Sequence, residues 1–160
     1  MMQHEEKVNT AKKVIRLYNM KNENAHELEK LQFNKRDEMP LAKKQIFIVD
    51  DDVSVCRALS VLLITYGFSV DTFTSAEDFF CAVPNSVPGC LILDIHMPGL
   101  GGWEAQQRLL RSGSKRPVII ISADKDGAPE QRALKAGAVG LLQKPFSDKE
   151  LVDLIDLAFL

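Results

Sequence analysis

The sequence contains no apolar run approaching the ~18 residues of a membrane-spanning helix, so no membrane partner is expected. Its start, Met1-Met2-Gln3-His4-Glu5-Glu6, lacks an apolar signal segment, and the expected location is therefore cytoplasmic. Cysteine is scarce, with only Cys56, Cys81 and Cys90, each in apolar surroundings. An odd, scattered set of this kind reads as small buried hydrophobes, not as disulfides or metal ligands. A clustered basic face is also missing. Residues 1–44 carry ten Lys/Arg against seven Asp/Glu, and residues 45–160 carry ten against fifteen, which together give the net charge of −2. That thin basic excess does not call for nucleic acid.

What is present suits a soluble globular protein, with 46% hydrophobic and 26% charged residues. The charge split divides the chain into an N-terminal extension, residues 1–44, and an acidic domain, residues 45–160. The extension has no glycine and one proline, Pro40. Val8, Ala11, Ile15 and Tyr18 form a helical stripe, and Val14, Leu17, Leu28 and Leu31 form a second one interrupted by Lys21 and Asn24. One or two amphipathic helices are expected there. A solvated leader packing on its own domain is preferred to a partner or dimerisation helix.

From Gln45 onward the pattern alternates. Ile46-Phe47-Ile48-Val49 predicts a strand leading into Asp50-Asp51-Asp52, and Val55, Ala58, Leu59, Leu62 and Tyr66 predict a helical face ended by Gly67. Phe68 to Phe73 is a second strand, and Ser75 with Glu77 and Asp78 opens a short helix that Pro84 stops. Cys90-Leu91-Ile92-Leu93-Asp94 is an apolar run bounded by turn residues, the signature of a buried parallel strand. A helix near 103–111 follows, then strand 117–122, a polar helix over 128–135, strand 139–143 and a last helix from about Asp148. Five strands alternating with five helices predict a doubly wound parallel sheet with right-handed crossovers.

Each of four strand ends then carries chemistry at one rim: Asp50-Asp51-Asp52, Asp94, Ser122 and Lys144. Open α/β sheets bind and react beyond the carboxyl ends of their strands. If the first and third strands are neighbours, their carboxylates converge, and an all-oxygen acidic site suits Mg²⁺. Lys144 adds an opposing positive charge and Ser122 a hydroxyl donor, a set fitted to a phosphoryl group. Taken singly, Asp52 reads equally well as a helix cap, Ser122 as a strand-end turn and Lys144 as a solvated charge. Their coincidence on one rim favours the chemical reading.

The acidic pair, Asp94-x-x-Met97-Pro98-x-x-x-Gly102, Ser122-Ala123 and Lys144-Pro145-Phe146 together resemble the receiver domain of two-component response regulators. Pro88-Gly89-Cys90 and residues 133–139 are similar to the nitrogen-fixation and nitrate-type subgroup. The resemblance implies a flavodoxin-like sheet of order 2-1-3-4-5 and a phosphoacceptor at Asp94 that attacks the phosphohistidine of a sensor histidine kinase. It also implies Mg²⁺ held by Asp51 directly, Asp50 through water, Asp94, and the backbone carbonyl of His96. Ser122 would hydrogen-bond the phosphoryl group, Lys144 would pair with it, small Ala123 would leave it room, and the Lys144–Pro145 bond would be cis. The chain would catalyse its own phosphorylation and dephosphorylation without being a turnover enzyme. A homodimer through the last helix or the extension is the other expected partner.

The chain departs from the pattern twice. Leu141 stands where the family usually has Tyr or Phe, which weakens the aromatic half of the switch. The extension also precedes a domain that commonly begins near its first strand. The subgroup usually carries a C-terminal helix-turn-helix, and the ending Ala158-Phe159-Leu160 hints at a cut before such a domain. Two alternatives stand beside the receiver: an Asp-nucleophile phosphatase of the haloacid dehalogenase kind, using Asp50-x-Asp52, and a receiver-like scaffold that does not switch. The first leaves Asp94 idle and lacks an acidic pair after the fourth strand.

Overall fold

The computed structural model describes residues 43–123 and 128–160. The helical stripes expected in the N-terminal extension lie outside the described residues. Five strands, β1 (Gln45–Val49), β2 (Ser69–Phe73), β3 (Cys90–Asp94), β4 (Val118–Ser122) and β5 (Gly140–Gln143), form one parallel sheet in the order β2-β1-β3-β4-β5. Between and after them run α1 (Val53–Thr65), α2 (Ala76–Ala82), α3 (Gly102–Arg111), α4 (Ala128–Lys135) and α5 (Asp148–Ala158). No helix of the described residues is long and apolar enough to cross a membrane.

Successive side chains of a strand point to opposite faces, so the central strands must be apolar on both sides. Phe47, Val49, Leu91, Leu93, Val118 and Ile120 pack on one face with Phe79, Ala105, Leu109 and Ala133, from α2, α3 and α4. Ile46, Ile48, Ile92, Ile119 and Ile121 pack on the other with Cys56, Leu59 and Leu63 of α1 and Leu151 and Ile155 of α5. β3 and β4 are buried throughout, whereas the edge strand β2 exposes Asp71 and Thr72.

Two sequence expectations are corrected. The buried stripe of α1 is Cys56, Leu59 and Leu63, while Ala58 and Tyr66 face solvent. Val55, Leu59 and Leu62 of the expected face do pack on the sheet, but Val53, Val61 and Ile64 are exposed apolar residues on the same helix, so its composition offers more than one apolar stripe and periodicity alone sets the edges of the buried one wrongly. Cys81 is exposed, unlike Cys56 and Cys90. α2 packs through Ala76 and Phe79, and a residue two positions beyond Phe79 lies roughly 200° around the helix, on its outer side.

Candidate functional site

β1 and β3 lie side by side, with Val49 opposite Leu93, and both run out at the same rim. Asp50 follows β1 directly, its backbone N–H donating to Phe73 O at 3.1 Å. Its carboxylate is buried, and Oδ1 accepts the Asp52 N–H at 2.8 Å. Asp52 turns away as the N-cap of α1, accepting the Ser54 N–H at 2.8 Å and the Val55 N–H at 3.4 Å. The capping reading of Asp52 therefore holds, and the acidic cluster comprises Asp50, Asp51 and Asp94.

Asp94, the last residue of β3, is only 5% exposed. One carboxylate oxygen from each of Asp50, Asp51 and Asp94 lies within 4.8 Å of the others. Asp94 Oδ1 is buried and has no hydrogen-bond partner. Burial, and then the Asp50 charge, push the Asp94 carboxyl above its ordinary range, and Lys144 and a hydrogen bond from the His96 backbone pull against them. Lys144 Nζ, entering from the end of β5, lies 3.4 Å from Asp50 Oδ2 and 3.9 Å from Asp94 Oδ1. One ammonium thus pairs with two of three clustered carboxylates, an excess of negative charge that a divalent cation would balance.

Backbone contacts hold this rim in register. Ile95 donates to Ile121 O at 3.1 Å and Lys144 to Ser122 O at 2.8 Å, and the Lys144–Pro145 bond is cis. Ser122 is fully buried at the end of β4, beside Gln143 of β5. Ala123 and His96 are exposed. Leu141 is half-buried against the core face that contains Phe79, opposite Ile120. A Cβ on Gly102 would run into the Asp94 carbonyl oxygen and Ile95 Cα, so only glycine lets the first turn of α3 press on the backbone behind the carboxylate.

Sequence reasoning missed one participant at this rim. Glu77, in the first turn of α2, accepts the Leu100 N–H at 3.0 Å, which ties α2 to the loop after Asp94. In the sequence Glu77 shows only as an acidic residue near a helix start, and nothing local links positions 77 and 100.

Residues 46–156 match the family model of the response regulator receiver domain. The response regulator protein TodT of Pseudomonas putida is 43% identical over 113 residues, covering 71% of this chain and 50% of that protein. The transcriptional regulatory protein FixJ of Bradyrhizobium diazoefficiens is 37% identical over 116 residues, covering 72% of this chain and 57% of its own. The crystal structure of FixJ-N, 33% identical, superposes with a TM-score of 0.68, covering 74% of this chain and 94% of that one. The chain spans about half the length of curated relatives such as TodT.

Proposed function

The chain belongs to the response regulator receiver family, and from that premise we propose that Asp94 accepts a phosphoryl group from the phosphohistidine of a sensor histidine kinase. The observation that carries the assignment is the contrast between two buried carboxylates. Asp50 has both oxygens engaged, Oδ1 by the Asp52 N–H and Oδ2 by Lys144. Asp94 Oδ1 has no hydrogen-bond partner. A hydrogen bond lowers the nucleophilicity of the oxygen that accepts it, and Asp94 Oδ1, with Lys144 no nearer than 3.9 Å, is the less engaged of the two. The same contrast disfavours the haloacid dehalogenase reading, which needs Asp50 as nucleophile.

In this reading an Asp94 oxygen attacks phosphorus, an acyl–phosphate bond forms, and the P–N bond breaks with its electron pair passing to the imidazole. Lys144 pairs with a phosphoryl oxygen and Ser122 donates its hydroxyl to another. The convergence of Asp50, Asp51 and Asp94, with a buried oxygen lacking a hydrogen bond, fits a hard divalent cation. Those residues and the His96 carbonyl would hold Mg²⁺, which supplies charge neutralisation to the phosphoryl oxygens. Residues 45–160 constitute the receiver and residues 1–44 an extension to it. The modified site then changes partner preference through the neighbouring faces, including self-association through the last helix.

The test is incubation with acetyl phosphate and Mg²⁺, followed by peptide mapping. The expected result is one phosphoryl group on Asp94, absent from Asp94→Asn. A label on Asp50, or undiminished labelling of Asp94→Asn, overturns the assignment.

A further inference from the structure

The loop 95–101 carries the backbone from the phosphoacceptor to α3, so its shape sets where Asp94 and His96 point. Three features fix it. At its far end Gly102 lies against the Asp94 carbonyl. In its middle, Met97 and Leu100 pack on the core face. From outside, Glu77 Oε1 takes the Leu100 N–H at 3.0 Å and lies 3.2 Å from where a Cβ of Gly99 would stand. Gly99 has φ +74°, so the loop turns through a left-handed residue directly over the Glu77 carboxylate. Glu77 is not spent on its own helix. Ser75 caps α2 by accepting the Asp78 N–H at 3.1 Å, and the Glu77 carboxylate reaches across to the loop.

We infer that Glu77 is a positioning residue for phosphoryl transfer: it pins the Leu100 amide and so holds the loop that sets the Asp94 carboxylate and the His96 backbone. The inference rests on the receiver reading above. It acts through geometry at a distance, because Glu77 belongs neither to the acidic cluster nor to the groups facing it. The Leu100 amide is an exposed bond, so its loss leaves the fold intact while the loop gains freedom. Phosphoryl transfer and cation binding are sensitive to such freedom, since small misplacements of a reacting group weaken both.

The test compares the wild-type chain with Glu77→Ala and Glu77→Gln. Mg²⁺ affinity is followed by the fluorescence of Trp103, the single tryptophan, which stands next to Gly102. The rate of phosphorylation by acetyl phosphate, the exchange of the Leu100 amide and the melting temperature are measured beside it. Glu77→Ala is expected to weaken Mg²⁺ binding and slow phosphorylation about three- to tenfold, the range that one hydrogen bond covers. The Leu100 amide should exchange faster while the melting temperature stays put. Glu77→Gln, whose amide oxygen still accepts the bond, should restore most of the loss. Wild-type affinity and rate in Glu77→Ala overturn the inference. So does equal impairment of both variants with a lowered melting temperature, which would mark a merely structural residue. If the wild type neither binds Mg²⁺ nor takes phosphate on Asp94, the receiver reading falls and the inference with it, and the wild-type arm alone reports that case.

Discussion

The two rims of the sheet each bury a charge with unpartnered atoms, yet they do opposite things with it. At the carboxyl rim Asp94 Oδ1 is buried without a hydrogen bond, and two more carboxylates converge on it. At the amino rim Arg116 Nε and Nη1 are likewise buried without partners. There, however, Nη2 donates to Pro84 O at 3.0 Å and Val87 O at 2.7 Å, and the guanidinium lies 5.1 and 5.2 Å from the ring centres of Phe47 and Phe79. Carbonyls and aromatic faces are electron-rich partners that a cation satisfies by itself. Like charges at close range are not satisfied until something else arrives. An unpartnered buried atom alone therefore does not mark a reactive site; the sign of its neighbours does.

The largest contrast should come from the close-packed glycine at each rim. Gly102→Ala must displace the Asp94 backbone, and Gly89→Ala places a Cβ 2.7 Å from Phe47 Cε2 and 2.9 Å from Gln45 O, at φ +149°. Both are expected to lower stability by about 3 kcal/mol or more in denaturant titrations. Only Gly102→Ala should also lower the phosphorylation rate of the protein that remains folded. Equal rates for the two variants would erase the distinction between the rims.

A smaller effect is expected from Arg116→Met, which keeps bulk over Phe47 and Phe79 but abandons the Pro84 and Val87 carbonyls. A loss of about 2 kcal/mol is expected, with phosphorylation of Asp94 unchanged. A slowed reaction would mean that the amino rim reaches the site after all.

The smallest effect is a pH dependence. The Asp94 carboxyl is raised above its ordinary value of 3.8 in the folded chain. Its favourable contribution is therefore complete below pH 3.8 and is lost as pH rises through the raised folded value. In metal-free buffer, urea titrations across that window should show wild-type stability falling with pH relative to Asp94→Asn, which lacks that component. Added Mg²⁺ should return stability to the wild type at neutral pH. Identical pH profiles for the two proteins would show that the carboxyl rim carries no such penalty.

Much of this contrast was legible in the residues themselves. Apolar runs ending on Asp50, Asp94, Ser122 and Lys144 place four polar or charged side chains at strand ends, because strand period and turn residues act over a few neighbours. The β2-β1-β3-β4-β5 order came from resemblance, since alternation of strands and helices is compatible with several orders. The packing choices were not legible. The buried stripe of α1 is set by which side meets the sheet, and the exposure of Cys81 by where α2 lies on the opposite face.

What the sequence determined by itself is thus the succession of elements and the rim on which each of these polar side chains falls. Those follow from local backbone preferences and from side-chain alternation. The tertiary structure decided which carboxylate keeps an oxygen without a hydrogen bond, that Asp52 caps a helix instead of joining the cluster, and that Glu77 meets Leu100 across 23 residues of chain. Each depends on the separation of groups from different elements, and that separation exists only once the two faces of the sheet are packed.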